Sequence, residues 1–217
     1  RARRCYATSG AKIVLEMNLS NPQWFPDGRS LLIQPQWGRQ AGKLAKVDVE
    51  TGDVQLLLNG ASPTHSSTWY NPGATLSPDG RMLYYTQKDR ILRRELLGGE
   101  ENELRALKMA LGSNISLSPD GSRLAFRTRP DEKDQNIRIL TTMPAAGGEL
   151  SQVKTGDVFP KSMTAWSGDG KRIFFVALAK LGAGPGSNDD CDIWSVPAEG
   201  GEPVPLGIDL HTLIYFF

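Results

Sequence analysis

The chain has 217 residues, enough for one large β-rich domain, and its 25 basic and 24 acidic side chains leave it nearly neutral. A net charge of +1 excludes a global electrostatic attraction to nucleic acid or to an anionic membrane. The 23 glycines and 14 prolines favour many turns over long helices. No run of about 18 apolar residues occurs, so the sequence predicts no transmembrane helix.

The two ends and the two cysteines give little further information. The chain begins with the basic residues Arg1, Arg3 and Arg4 rather than methionine, and it stops inside an apolar run, so we expect a piece of a longer protein. Cys5 and Cys191 are far apart and do not make a disulfide framework or a zinc site. Whether they pair stays open, and with it the redox compartment.

One turn followed by an apolar strand recurs four times, in residues 25–33, 76–85, 117–126 and 166–175. Proline presets φ at the second position of a type I turn, aspartate hydrogen-bonds nearby backbone N–H groups, and glycine takes the left-handed conformation. We therefore predict strand, three-residue turn with a bulge, strand at each copy. The predicted structural residues of these turns are Asp27, Gly28, Asp79, Gly80, Asp120, Gly121, Asp169 and Gly170.

In chain order, each turn joins the first two strands, A and B, of a predicted four-stranded antiparallel unit. A strand over residues 12–17 precedes the first unit, and a strand over residues 211–217 follows the last. The spacing between the turn aspartates is 52, 41 and 49 residues, with the variation in the loops. The four units are predicted at about residues 21–58, 74–107, 114–154 and 163–206.

Units of this length with four strands each are typical of β-propeller blades, which bury their faces by stacking on one another. The fold class is therefore all-β, a single propeller domain or propeller fragment over residues 1–217. The terminal strands could together form a fifth blade and close the ring, or the chain could be an arc of a six- or seven-bladed parent. Residues 100–109 could instead form a short helix, with acidic residues early and Lys108 late.

Ser77-Pro78-Asp79-Gly80-Arg81, the apolar residues after it and the Gly-Gly or Thr-Gly turn before each last strand resemble the WD40-like, PD-type repeat of TolB-like propellers. Similar propellers are appended to bacterial serine/threonine kinases and membrane-anchored transcriptional regulators, or precede the hydrolase domain of prolyl-oligopeptidase-type peptidases. The resemblance covers about residues 20–206, with Phe25 and Gly168 as departures. It implies a bacterial scaffold protein, with a periplasmic or extracytoplasmic location favoured and a cytoplasmic one possible. It does not identify a ligand.

Because strand direction alternates, the A–B and C–D turns are predicted on one face and the irregular loops on the other. Loops that vary on a repeated scaffold commonly carry function. Aromatic and basic residues of these loops are the candidate contacts, since Trp, Tyr and Arg are enriched at binding hot spots. The alternative is that the aromatic residues pack the loops onto neighbouring blades. The candidates are Trp37, Arg39, His65, Trp69, Tyr70 and Arg129, whereas Trp24, Trp166 and Trp194 are predicted in the core.

Metal and catalytic chemistry find little support in the sequence. Asp189, Asp190 and Asp192 are a weak candidate for a hard-cation site, and a solvated loop is the better interpretation. Residues 182–187 are Gly-rich, but no Lys-Ser/Thr pair follows them as in a phosphate-binding loop. The sequence has no Gly-x-Ser-x-Gly elbow or kinase signature, and we expect no catalytic residues and no cofactor.

The leading hypothesis is a non-catalytic propeller that binds a protein or peptide, without nucleic acid and without membrane insertion. The alternative is the gating propeller of a prolyl-oligopeptidase-type peptidase whose catalytic domain lies outside this chain. A weaker third hypothesis is a propeller enzyme or lectin that acts through the central channel. The oligomeric state is not predictable from the sequence.

Overall fold

The computed structural model describes residues 23–33, 43–58, 73–87, 89–107, 115–128, 138–178 and 191–207. Within these ranges every regular element is a β-strand, and the strands form four antiparallel sheets of four strands each. The sheets are arranged as the blades of a β-propeller, which confirms the predicted fold class. No helix of the described ranges is long and apolar enough to cross a membrane.

Each blade contains four strands that are consecutive in the chain and paired in chain order. Blade 1 contains β1 (Gln23–Trp24), β2 (Ser30–Ile33), β3 (Leu44–Asp48) and β4 (Val54–Leu58). Blade 2 contains β5 (Ala74–Leu76), β6 (Met82–Gln87), β7 (Arg90–Glu95) and β8 (Glu101–Ala106). Blade 3 contains β9 (Ile115–Leu117), β10 (Arg123–Thr128), β11 (Ile139–Pro144) and β12 (Ser151–Val153). Blade 4 contains β13 (Phe159–Trp166), β14 (Arg172–Leu178), β15 (Cys191–Pro197) and β16 (Val204–Pro205).

The core lies between the blades rather than within a single sheet. Alternate residues of each B strand point to opposite neighbours, because side chains alternate across a strand. In β10, Leu124 and Phe126 pack against blade 2, while Ala125 packs against blade 4. One apolar cluster fills each of the three interfaces between consecutive blades. The blades therefore stabilise one another as the repeat pattern predicted.

The first blade carries a further apolar cluster on its other face. Ile33, Ala45 and Val47 are buried there, and Leu31 packs against them. These residues face away from blade 2, toward the position that a preceding blade would occupy. The predicted terminal strands over residues 12–17 and 211–217, and with them the question of ring closure, lie outside the described residues.

Residues 101–106 form strand β8, the last strand of the predicted second unit, and not the alternative short helix. They pair with β7 along its length. One local prediction is wrong. Strand β13 begins at Phe159, although the fourth unit was predicted to begin only at about residue 163. Two register shifts in the pairing of β13 with β14, on either side of Ser162, allow this longer strand to include Pro160.

Candidate binding face

The strand order gives the propeller two different faces. The A–B and C–D turns end on one face, which we call the turn face. The B–C and D–A connections end on the other, which we call the loop face. Among the described connections, the turn face carries compact turns that repeat from blade to blade.

The A–B turn of blade 2 shows how the Pro-Asp-Gly sequence forms this geometry. The Gly80 N–H donates to the Ser77 carbonyl at 2.8 Å, and Gly80 has a φ of 69°. The Ser77 N–H donates to the Met82 carbonyl, so the turn encloses four residues rather than the predicted three. The additional residue fits because the Ser77 hydroxyl accepts the Met82 N–H at 2.9 Å and donates to Asp79 at 2.5 Å. The serine thereby extends the reach of the aspartate across the turn.

Blade 1 lacks this serine, and its aspartate compensates. Phe25 stands at the serine position, yet the Gly28 N–H still donates to its carbonyl. Asp27 Oδ1 accepts the N–H of Arg29 at 2.9 Å and that of Ser30 at 2.8 Å directly. With Phe25 in place of serine, the hydrogen bonds of the turn differ but the turn itself is preserved. The Phe25 ring packs in the apolar cluster between blades 1 and 2.

The turn aspartates are held in their charged form by these hydrogen bonds. The backbone N–H of Arg29 is the main cause that lowers the pKa of Asp27. The hydroxyl of Ser118 lowers the pKa of Asp120 to about 2, and Ser77 and Ser167 likewise lower the pKa of Asp79 and Asp169. The carboxylates bond to their own turns, as a structural role requires.

The turns also contact one another from blade to blade. A Cβ atom placed on Gly80 would lie 2.6 Å from Pro26 Cδ, so the proline of blade 1 lies directly against the glycine of blade 2. The same step places Pro78 against Gly121 and Pro119 near Gly170. Gly168 replaces the proline in blade 4. Gly28 of blade 1 has no described atom within 4 Å of such a Cβ. Positive φ favours glycine in all four turns, and the close approach of a proline is a second reason at Gly80 and Gly121.

On the loop face, the structure describes the strand ends that flank the long connections. All six predicted contact residues, Trp37, Arg39, His65, Trp69, Tyr70 and Arg129, lie outside the described residues, so their prediction stays untested. The strand ends that flank these loops are tied together by hydroxyl groups. Thr86 accepts the Gly73 N–H at 3.2 Å, and the hydroxyls of Thr128 and Thr141 lie 2.8 Å apart. The scaffold beneath the loops is thus ordered by short-range polar contacts.

The candidate cation site is also only partly described. Asp192 lies on β15, where its carboxylate accepts the backbone N–H of Ile193 at 2.6 Å. Asp189 and Asp190 lie outside the described residues. No group of three or more acidic, histidine or cysteine side chains suited to a metal ion occurs in the described part of the chain.

The innermost strands present polar side chains that bond to each other across blades. Gln23 of β1 bonds to the Thr75 hydroxyl at 3.1 Å and accepts the N–H of Leu76 at 2.9 Å. Ser116 of β9 bonds to Thr164 of β13 at 3.3 Å. These contacts link strand A of one blade to strand A of the next, which gives them a structural role along the propeller axis.

Sequence reasoning missed a charged contact between blades 3 and 4, which we call the Arg123 joint. Arg123 forms an ion pair with Glu199 and stacks over the ring of Trp166, with 5.8 Å from its Cζ to the ring centroid. Its Nη2 also donates to the Thr142 hydroxyl at 2.8 Å. The Trp166 Nε1 donates to the Ser116 carbonyl at 3.3 Å. No spacing in the sequence indicated that these residues meet.

The prediction that all three strand tryptophans are core residues holds for two of them. Trp166 and Trp194 pack against the cluster between blades 3 and 4. Trp24 is 58% exposed, so its assignment to the core is wrong. It lies at the same position in blade 1 as Trp166 in blade 4, on the face that points away from blade 2.

No protein-family model and no curated protein sequence matches the chain. Solved structures do match. A TolB-type protein of Agrobacterium tumefaciens shares 16% identity at a TM-score of 0.52, covering 89% of this chain and 82% of the other. The tricorn protease shares 12% identity at a TM-score of 0.52, over 82% of this chain and 18% of the other. The nidogen/laminin complex gives 12% identity and a TM-score of 0.57, over 77% of this chain and 59% of the other.

At this identity the structural matches show a shared fold. The class that the sheets and the matches define is a β-propeller domain, similar in architecture to a TolB-type propeller.

Proposed function

We propose that this propeller is a non-catalytic module that binds a protein or peptide on its loop face. The observation that carries the proposal is the contrast between the two faces. On the turn face the repeated aspartates bond to their own turns and the prolines pack against the next blade. The variable connections all leave from the other face, where a scaffold is free to present different side chains.

One of the structural matches agrees with this function, since it is solved as a complex of nidogen with laminin. Another is a bacterial TolB-type protein. We infer by analogy that this chain serves as a scaffold or sensory domain of a larger bacterial protein, with no cofactor. Fold-level analogy alone does not name the partner.

The test is a co-purification of partners on the immobilised chain, followed by titration of one recovered protein with variants. Trp69→Ala and Tyr70→Ala on the loop face are expected to weaken binding, each by about tenfold or more if it is a hot spot. Arg81→Ala on the turn face is the matched control and should bind as the unchanged chain does. Loop-face variants that leave every partner bound at full affinity would contradict the proposal.

A second candidate is the gating propeller of a prolyl-oligopeptidase-type peptidase. The similarity to the tricorn protease, in which this chain spans only 18% of the matched polypeptide, favours it as the alternative. The coding sequence beyond the chain distinguishes the two candidates. A hydrolase domain with a Gly-x-Ser-x-Gly elbow supports the peptidase, whereas a kinase or DNA-binding domain with a membrane span supports the sensor.

A further inference from the structure

Blades 1 and 4 carry residues equivalent to those of the Arg123 joint. The equivalent of the arginine lies in blade 4, and the equivalents of the tryptophan and the glutamate lie in blade 1. Arg172 of blade 4 occupies the position of Arg123 of blade 3, since both follow the turn glycine by two residues. The environments also agree. Arg172 Nη2 donates to the Ser195 hydroxyl at 3.0 Å, as Arg123 donates to Thr142. Arg172 therefore lies on the face of blade 4 that points away from blade 3.

Blade 1 carries the complementary half. Trp24 pairs with Leu31 as Trp166 pairs with Ile173, so the two tryptophans are equivalent. Glu50 follows Asp48 by two residues, and Asp48 pairs with Ser30 as Pro197 pairs with Arg172. Glu50 is therefore the equivalent of Glu199, and it lies on the side of blade 1 that points away from blade 2.

The other internal interfaces do not repeat this set of residues. Between blades 1 and 2 the equivalent positions hold Ser30, Leu76 and Leu97. Between blades 2 and 3 they hold Met82, Leu117 and Ala146. The arginine, tryptophan and glutamate thus occur together at the interface between blades 3 and 4. Their equivalents occur once more, with the arginine on the outward face of blade 4 and the tryptophan and glutamate on that of blade 1.

We propose that a second copy of this chain binds head to tail, with Arg172 of one copy held by Trp24 and Glu50 of the other. A contact within one chain is disfavoured because Trp24 is 58% exposed and so is not covered by its own Arg172. An ion pair combined with stacking of a guanidinium on an indole ring gives the joint its specificity. Two copies can form two such joints, each between Arg172 of one copy and the Trp24–Glu50 edge of the other.

The contact is centred on the edge of blade 1 near the turn face. Ile33, Ala45 and Val47 of the same blade face are already buried, whereas Trp24 is exposed. Glu50 lies 3.4 Å from Arg29 Nε, and its two carboxylate oxygens can serve a second cation. A small, partly ionic contact is expected to be reversible and to weaken with salt.

The experiment is sedimentation velocity of the full 217-residue chain over a concentration series at low and high salt. The unchanged chain is expected to show a monomer–dimer equilibrium that shifts toward monomer at high salt. Trp24→Ala should raise the dissociation constant about 30-fold or more, as expected for a tryptophan hot spot. Arg172→Glu and Glu50→Lys should each weaken self-association. Arg81→Glu, a charge reversal on blade 2, is the control and should leave it unchanged.

Mixing the two charge reversals gives the sharper test. A pair of one Arg172→Glu copy and one Glu50→Lys copy places opposite charges at both joints, so the mixture should recover dimers that neither variant forms alone. A single monomeric species of the unchanged chain at every concentration overturns the proposal. So does a result in which the two reversals restore thermal stability only when combined in one chain, because that outcome places the joint within a single molecule.

Discussion

The interface between blades 1 and 2 and the interface between blades 3 and 4 use the same backbone positions for different chemistry. At the first, Ser30 is buried and Leu97 is 90% exposed, so these two described positions form no ion pair. At the second, Arg123 contacts Trp166 and Glu199. The repeat therefore fixes where a side chain lies, and the residue at that position decides whether the contact is apolar or ionic.

The largest effect on stability should come from the apolar clusters, one of which lies at each of these two interfaces. Phe175 is 1% exposed between blades 3 and 4, and Phe175→Ala is expected to lower the free energy of unfolding by about 3–5 kcal/mol through lost burial and a cavity. Chemical denaturation measures this loss. Leu97→Ala, which removes an exposed side chain, should change stability by less than about 0.5 kcal/mol. A loss below 1 kcal/mol for Phe175→Ala would show that the apolar cluster does not hold the blades together.

The next largest loss of stability is expected where the turns of neighbouring blades touch. This contact exists at Gly80 of blade 2, whereas Gly28 of blade 1 has no described atom within 4 Å of an added Cβ. Gly80→Ala forces a Cβ to within 2.6 Å of Pro26 Cδ and places alanine at positive φ, so we expect a loss of about 2–3 kcal/mol. Gly28→Ala meets no described atom within 4 Å and should cost only the backbone strain, about 1–2 kcal/mol. The difference between the two variants is measured by urea denaturation.

A rescue variant makes this prediction sharper. Combining Gly80→Ala with Pro26→Ala removes the atom that the new Cβ would meet. The double variant should be more stable than the sum of the single changes predicts, since residues in contact are not additive. Strict additivity would show that the turns of blades 1 and 2 do not press on one another.

The Arg123 joint is expected to contribute less than either apolar contact. The Glu199 side chain is 83% exposed, and exposed ion pairs contribute at most about 1 kcal/mol. A double-mutant cycle with Arg123→Met and Glu199→Gln should return a coupling of about 0.2–1 kcal/mol that falls as salt is added. A coupling of several kcal/mol would mean that the charged joint is a main source of stability at this interface.

The turn aspartates predict a graded acid dependence. Their pKa values are lowered in the folded chain, to about 2 for Asp120, so their stabilisation is complete above the unfolded-state pKa and is lost as the pH falls below about 4 toward 2. Asp120→Asn should flatten the fall of the melting temperature over this window. Asp157→Asn, at an exposed position in the connection between β12 and β13, is the control. An unchanged slope for Asp120→Asn would contradict the role of the Ser118 hydrogen bond.

Much of the fold could be predicted from local chemistry. The turn requires a positive φ at its glycine, and in all four blades strand B begins two residues after that glycine, directly after the turn as predicted. The turn in blade 1 survives the loss of its serine because Asp27 can reach two backbone N–H groups itself. The long strand β13 was missed because Pro160 is a poor strand signal, and only its pairing with β14 accommodates it.

The candidate site was also predictable only in part. The sequence alone indicated which connections are irregular, and strand alternation assigned them to one face. It did not predict that Arg123, Trp166 and Glu199 meet, because the arginine and the glutamate are 76 residues apart and lie in different blades. Nor did it predict that Trp24 is exposed, since a tryptophan on a strand is usually buried.

The repeating unit follows from local sequence, because turn formation depends on φ preferences and hydrogen bonds within a few residues. How the units meet follows from the packing of whole blades. The stacking of Pro26 against Gly80, the apolar clusters between blades and the equivalence of Trp24 with Trp166 depend on which faces the packed blades turn toward one another. Such contacts join residues far apart in the chain, and no local pattern encodes them.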